Sequence, residues 1–462
     1  MAMEDDLAAQ LSEQIESWSC SSTDCFHISL LRPNGELAAG PFNPKFTYPI
    51  FGDEETIFGY RDLDISLTLR EDDLYPHLSV KYGEKFKGVA EVQPTDIQDL
   101  MKDFLPEKAF QEAVQQSQSF TPPGEKLAEH NHSGKTCETW TCSLADPKAR
   151  EILENMQIFA PLMIEGGSLL DLTQEYTAER WRLFLYYRVQ DGTYSLVGYC
   201  TAYILLYLPN SFASGAFSLD DIINNPPADG VEAHYPHRSR LSQFIILPPY
   251  QGCGHGRNLY RDVFSNLTAP KAVKEMTVED PNEAFDDLRD FCDLEYLRNN
   301  SPAFADLKIN TSLSASNDDS PFPIDQIVDG DTRRTIRVQT KLEERQFDRL
   351  VEMQTLSRIP VANREKSRIT RKEKCSNPND RAFYLWRLFV KERLYRFNFD
   401  QLSQIEDQER IDRLESAVDS VIEGYEILLE KAESRGKPKG KGNKRVIVED
   451  GSDEEVAKKV KR

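Results

Sequence analysis

Residues 240–260 read RLSQFIILPPYQGCGHGRNLY, and this stretch decides the fold. Residues 241–247 form an apolar run of strand length. Gln251-Gly252-Cys253-Gly254-His255-Gly256 follows, and a helical pattern of Leu259, Val263 and Leu267 begins at once. Three glycines on alternate positions tolerate tight turns and let backbone approach a ligand closely. Unpaired N–H groups and the dipole at the helix start make an anion site, and a diphosphate is its natural guest. The dinucleotide fingerprint GxGxxG fails, because Arg257 and Leu259 follow Gly254-His255-Gly256 without the third glycine. The P-loop fails too, because no Lys-Ser/Thr pair follows Gly256. What remains is Q-x-x-G-x-G, formed by Gln251, Gly254 and Gly256. Alone, that pattern is also compatible with an ordinary tight strand–helix turn.

Outward from this stretch, residues 150–310 alternate strand and helix. Residues 181–189 and 195–206 are apolar, aromatic strand runs, and Asp191-Gly192 between them signals a hairpin. Residues 276–278 read as a short strand. Residues 282–297 read as a helix with Phe285, Leu288, Phe291 and Cys292 at helical spacing. Towards the N-terminus, residues 55–60 and 65–69 are strand-like and residues 96–104 helical. Carboxylates are dense here: Asp53, Glu54, Glu55, Asp62, Asp64, Glu71, Asp72 and Asp73. Residues 115–141 are rich in Ser, Thr, Gly, Pro and His and read as a long loop or linker. Residues 341–430 read as a small helical bundle. Its basic excess from residue 341 to 399, fifteen against eight acidic, reads as a solvated basic surface.

The 462 residues carry a net charge of −21, which argues against a whole-surface nucleic-acid binder and suits a basic partner. The last 28 residues, from Arg435, hold ten basic and five acidic side chains, so the remainder is −26. Their Lys, Gly and Pro content reads as a disordered tail. Its basic clusters at 437–445 and 458–462 read as nuclear-import signals or as a solubilising tail. No run of about 18 apolar residues predicts a membrane span. The acidic start lacks the apolar core of a secretory signal. The 8 scattered cysteines suit a reducing intracellular compartment. Cys137 and Cys142 lie near His130 and His132 in sequence, but at no common zinc spacing, so no metal is expected.

The Gln251–Gly256 loop resembles the diphosphate loop of the Gcn5-related N-acetyltransferase superfamily. The flanking residues narrow the resemblance. SQFIILPPYQGCGHG (242–256), TVEDPNEAFDDLRD (277–290), FTYPIFGDEETIFGY (46–60) and VGYCTAY (197–203) are similar to the type B histone acetyltransferase catalytic subunits, in the family's order. The likeness covers roughly two-thirds of the chain and weakens in the last hundred residues. It implies an α/β (α+β) chain with the acyl-CoA N-acyltransferase fold. A mixed, splayed sheet at 141–320 would stand between an acidic N-terminal α/β domain at 1–140 and a C-terminal helical bundle at 321–432, with the basic tail at 433–462.

The resemblance also implies acetyl-CoA as co-substrate, lying between two splayed parallel strands. Backbone of Phe244, Ile245 and Ile246 would pair with its pantetheine arm. Gln251, Gly252, Cys253, Gly254, His255, Gly256 and Arg257 would cradle the diphosphate, and Asn282 would touch the cofactor from its far side. A lysine with a pKa near about 10.4 must lose a proton before it attacks. The family's catalytic glutamate matches Glu279, with Glu165 and Asp280 as supporting acids. Glu165 also reads as a surface-loop acid, and Asp280 as a helix N-cap before Pro281. Trp181 and Tyr203 match positions that shape the histone groove, and each also fits a strand burying one face. Phe291 stands where some members carry an arginine, so Arg289 or Arg257 would have to compensate. The implied acceptor is the tail of free histone H4, with or without its histone H3 partner. A β-propeller histone-binding subunit is the implied partner, in cytoplasm and nucleus, with roles in chromatin assembly and DNA repair. Neither direct nucleic-acid binding nor a membrane is implied. The competing readings are an acetyltransferase for another protein or amine and a non-catalytic histone chaperone.

Overall fold

The computed structural model describes residues 16–88, 92–111, 120–207, 224, 234–313, 322–369 and 377–436. Near the N-terminus, β1 (Ser19–Ser21) pairs with β4 (Thr56–Phe58), and β5 (Tyr60–Arg61) with β8 (Glu84–Lys85). A four-stranded sheet follows the order β3 (Leu37–Phe42), β2 (Phe26–Leu31), β6 (Asp64–Arg70), β7 (Pro76–Lys81). Strict alternation drives it: Phe26, Ile28 and Leu30 face Ile65, Leu67 and Leu69 on one fully buried side.

The central sheet has six strands, in spatial order β14 (Val273–Val278), β13 (His237–Ile246), β12 (Thr193–Leu206), β11 (Trp181–Gln190), β10 (Lys135–Ser143) and β9 (Glu125–His132). Only β13 and β14 run parallel. Asp191 and Gly192 turn the β11–β12 hairpin with positive φ at both positions, as their sequence predicts. Residues 195–202 of β12 are buried without interruption, so both faces of the sheet are covered there.

The loop expected over 115–141 is instead mostly sheet. β9 and β10 form a hairpin whose turn is Ser133-Gly134, with φ of +52° and +80°. Because β9 is the edge strand and much of it is solvated, its sequence EKLAEHNH carries no apolar alternation. The Ser-Gly signal marks a tight turn. The expected boundary at 140/141 therefore falls inside β10. The boundary at 320/321 lies outside the described residues.

One compact unit runs through Arg393. A buried segment at residues 70–75 explains why the two sheets fold together. Leu196 donates its N–H to the Glu71 carbonyl at 2.7 Å, and Ser195 donates its hydroxyl to the Glu71 carboxylate at 2.5 Å. Tyr187 donates to the Asp72 carbonyl, and Asn155 of α1 (Pro147–Met156) to the Asp73 carbonyl. Half of the carboxylates read as an acidic surface are thus structural. Glu71 and Asp72 are buried, Asp73 pairs with Arg70, and Glu55 caps the N–H groups of Thr47 and Tyr48. Asp53, Glu54 and Asp62 remain exposed.

Helix α2 (Phe159–Met163) approaches β13, and α3 (His255–Thr268) crosses the sheet, touching β9, β12, β13 and β14. Helix α4 (Glu283–Asn300) forms where its apolar spacing predicts, and charged residues share its buried side. Arg289, Asp290, Cys292 and Asp293 are buried, while Phe285, Leu288 and Phe291 are half-buried. The charged face is satisfied by Tyr260, Gln346 and Arg349, which bond Asp290 and Asp293. Further on come α5 (Gly330–Thr340), α6 (Glu344–Ser357) and α7 (Pro378–Phe397). The basic excess here is not only a solvated surface: Arg387 and Arg393 are buried, the latter bidentate on the buried Glu352 at 2.6 and 2.9 Å. The second unit, from Leu394, carries α8 (Asp407–Gly436). The tail expected from residue 433 begins within α8. Its two basic clusters lie outside the described residues.

Gly198 of β12 opposes Ile246 of β13 so closely that an added Cβ would meet the Ile245 carbonyl oxygen at 2.4 Å. Backbone must move to admit it. Gly198→Ala should therefore cost about 1–3 kcal/mol of stability, read as a lower urea midpoint at an unchanged slope.

Candidate active site

Strands β13 and β14 stay paired from His237 opposite Val273 to Leu241 opposite Val278. One further rung joins the Glu279 N–H to the Leu241 carbonyl at 2.9 Å. Beyond it, β13 continues along β12 to Ile246, and no described strand takes its other edge. The parting coincides with a β-bulge. Thr201 opposes Gln243 and Ala202 opposes Leu241, which leaves Ser242 as the extra residue. A bulge bends its strand and re-aims a side chain. Ser242 donates its hydroxyl to Glu279 Oε2 at 2.5 Å, and Arg240 stands 3.4 Å from Oε1. Glu279 is thus a half-exposed carboxylate at the fork, fixed at both oxygens.

The open edge of β13 runs through Phe244, Ile245 and Ile246. Peptide groups on such an edge can pair with an extended amide chain. Phe244 packs on Phe285 with ring centroids 5.0 Å apart, which seats the start of α4 beside this edge. Asn282 caps α4: its side chain accepts the Phe285 N–H at 2.9 Å. The cap is therefore Asn282, not Asp280, which is exposed with a φ of +36°.

At the end of β13 the chain turns through Gln251, Gly252, Cys253 and Gly254 into α3, and all four are exposed. Gln251 donates to the Ile246 carbonyl at 2.7 Å, closing the turn. Gly252 and Gly254 have φ of +71° and +92°, which glycine supplies without strain. Gly254 is the N-cap, and no side chain caps the helix. Its first N–H groups are therefore unspent, and nothing lies within 4 Å of a Cβ built on Gly252. Gly256 allows close packing: its Cβ would stand 3.3 Å from Leu288 and 3.6 Å from Ile246. An extended amide arm ending in a diphosphate fits this edge and loop.

His255 turns inward. Its ring stacks on His132 of β9 with centroids 4.1 Å apart and meets Tyr186 and Tyr250 edge-on. Only 8% of the residue is exposed, and its Nδ1 has no hydrogen-bond partner. Burial, then the neighbouring His132, push its pKa down to about 4. Arg257 lies over the Phe291 ring, 5.1 Å from its centroid, and binds Glu295 at 2.5 and 2.7 Å. Arg289 is buried beside Asp293, so it does not compensate for Phe291. Cys253 is an exposed member of the loop, away from the fork.

Glu165 is exposed on a loop tied down on both sides. Tyr48 accepts the Gly166 N–H at 2.7 Å, and Gln243 donates to the Ser168 carbonyl at 2.9 Å. Adjacent residues of β13, Ser242 and Gln243, thus hold Glu279 and the Glu165 loop. Trp181 and Tyr203 are cross-strand partners with ring centroids 4.9 Å apart; Trp181 is buried and Tyr203 half-buried. Cys137 and Cys142 are buried within β10, and burial pushes the Cys142 thiol up to about 12. His130 instead bonds Asp262 at 2.7 Å. Sequence reading missed Ser242, Arg240 and His132, because a bulge and a cross-sheet stack leave no local pattern.

The family model described as "Histone acetyl transferase HAT1 N-terminus" matches residues 18–165, and "Fungal HAT1, C-terminal" matches residues 305–358. The chain is 38% identical over 446 residues to the histone acetyltransferase type B catalytic subunit of Aspergillus oryzae, covering 89% of this chain and 86% of that one. It is 36% identical over 484 residues to that of Gibberella zeae, covering 97% and 99%. The corresponding protein of Kluyveromyces lactis is 33% identical over 435 residues, covering 91% and 94%.

The His255 environment gives a pH signature. The unfolded chain takes up a proton near the ordinary histidine value of about 6.5, whereas the folded chain resists until about 4. Stability contributed by this group is present above pH 6.5 and is lost on acidification towards pH 4. Between pH 7 and 5 the native protein should lose about 1–2 kcal/mol more than His255→Phe, measured by urea denaturation.

Proposed function

The chain belongs to the type B histone acetyltransferase catalytic subunits, and from that premise we propose that it acetylates lysines in the N-terminal tail of free histone H4, with Glu279 as general base. It is an acetyltransferase that uses acetyl-CoA. The observation that carries the reading of the base is the fork itself. Glu279 is the carboxylate where β13 and β14 part, beside the edge that would receive the thioester arm.

Bound acetyl-CoA supplies an activated thioester. Once deprotonated, the lysine nitrogen attacks its carbonyl carbon, the C–N bond forms, the C–S bond breaks, and the second proton lost by the nitrogen goes to the departing thiolate, so coenzyme A leaves as the thiol. Glu279 removes the proton that the attacking amine must lose. Arg240 and the Ser242 hydroxyl hold that carboxylate in place at the fork. Glu165 and Asp280 stand as supporting acids that orient the amine or pass its proton to solvent. Phe244, Ile245, Ile246 and Asn282 flank the pantetheine arm, and the loop from Gln251 to Gly256, with the backbone of Arg257, takes the diphosphate. Trp181 and Tyr203 would form an aromatic wall of the acceptor groove. Exposed Asp53, Glu54 and Asp62, in a chain of net charge −21, favour a multiply charged basic tail over a small amine of single charge. In this reading the enzyme works with a β-propeller histone-binding subunit, in cytoplasm and nucleus, on H4 alone or with H3, and feeds chromatin assembly.

The test is acetyl transfer from labelled acetyl-CoA to an H4 tail peptide. Glu279→Gln should lower kcat by about 10²–10⁴-fold while acetyl-CoA still binds. Unchanged activity would move the base to Glu165 or Asp280. Binding of acetyl-CoA by the native enzyme without transfer to the peptide would point to another acceptor or to a need for the partner subunit.

A further inference from the structure

Resting on the reading of residues 251–257 as the diphosphate loop, we infer that His132 is a second-strand contribution to that site: a donor from the β9–β10 hairpin that binds the diphosphate of acetyl-CoA. The need for it arises from charge. A diphosphate at the start of α3 asks for cationic or N–H donors beyond the helix itself. The arginines nearest in sequence are engaged elsewhere. Arg257 and Arg261 both bind Glu295, Arg257 also covers Phe291, and Arg289 is buried beside Asp293.

The hairpin supplies what these do not. His130 and His132 lie two residues apart on β9, so they share one face of the strand. His130 bonds Asp262, two turns into α3, and Asp262 also accepts the Thr139 hydroxyl from β10. That clamp sets the hairpin along the helix. It brings His132 to the helix start, stacked on His255, with its Cε1 3.5 Å from a Cβ built on Gly254, the N-cap. His132 is half-buried, and neither of its ring nitrogens has a hydrogen-bond partner among the described residues. Below it the buried His255 Nδ1 is likewise unpartnered. Two stacked imidazoles with unmet hydrogen-bonding capacity thus stand at an uncapped helix N-terminus. The exposed Lys135 adds positive charge from the same hairpin. The helix N–H groups would take one side of the diphosphate and His132 the other.

Full-length enzyme, with acetyl-CoA or S-acetylpantetheine as donor, separates this role from simple packing, because the second donor has the thioester and arm but no phosphates. His132→Phe keeps a ring on His255 and removes both nitrogens. We expect kcat/KM for acetyl-CoA to fall about tenfold, mostly through KM. The ratio of kcat/KM for acetyl-CoA to that for S-acetylpantetheine should fall by the same factor. His132→Gln, which restores an N–H donor, should recover part of the loss. An unchanged ratio, whether activity is intact or both donors fall together, overturns the assignment. A native enzyme that does not prefer acetyl-CoA to S-acetylpantetheine overturns the diphosphate loop itself, and the role of His132 with it.

Discussion

The active site depends on one irregularity, the extra residue Ser242 in β13. There β13 shifts register against β12, and its pairing with β14 ends close by, at Leu241 opposite Val278. The strand bends, and beyond the Glu279 rung its edge away from β12 has no described strand beside it. The same residue directs its hydroxyl at Glu279. The open edge and the placement of the Glu279 carboxylate thus share one bulge. Gly198, pressed against the Ile245 carbonyl from β12, holds the far side of the bent strand.

Charge is distributed in two ways. On the N-terminal side, half of the dense carboxylates are consumed by backbone and buried hydroxyl groups, so the attractive surface is smaller than composition implies. Around the loop the reverse holds. Cations that composition would credit to the cofactor are spent on Glu295 and Asp293. An anion there must rely on helix N–H groups and on residues brought from across the sheet. Net charge describes long-range attraction, and the bonding partners decide what a site can hold.

The strands and helices around the loop are legible because their signals are local. The apolar run before Gln251, the glycines and the spacing of Leu259, Val263 and Leu267 each describe a few consecutive residues, and all three leucine-face positions are buried. The β9–β10 hairpin was illegible because an edge strand with solvated positions needs no apolar alternation. Helix α4 was legible from its spacing, but the burial of Asp290 and Asp293 was not, because their partners Gln346, Arg349 and Tyr260 are remote in sequence. The same limit hides His132 from the loop it stacks on. Contacts between distant segments leave a trace only in tertiary structure, and they supply the fine positioning of this site.

The segment at residues 70–75 has a consequence for how the chain can be divided. Its carbonyls and carboxylate satisfy Leu196 and Ser195 on β12, Tyr187 on β11 and Asn155 on α1. Cutting the N-terminal sheet away would break those bonds and open to water the apolar surface that the segment covers. The six-stranded sheet that carries the fork is therefore not a detachable module. Both sheets lie within the one compact unit that runs through Arg393, and the 70–75 segment is the seam by which they share their polar groups.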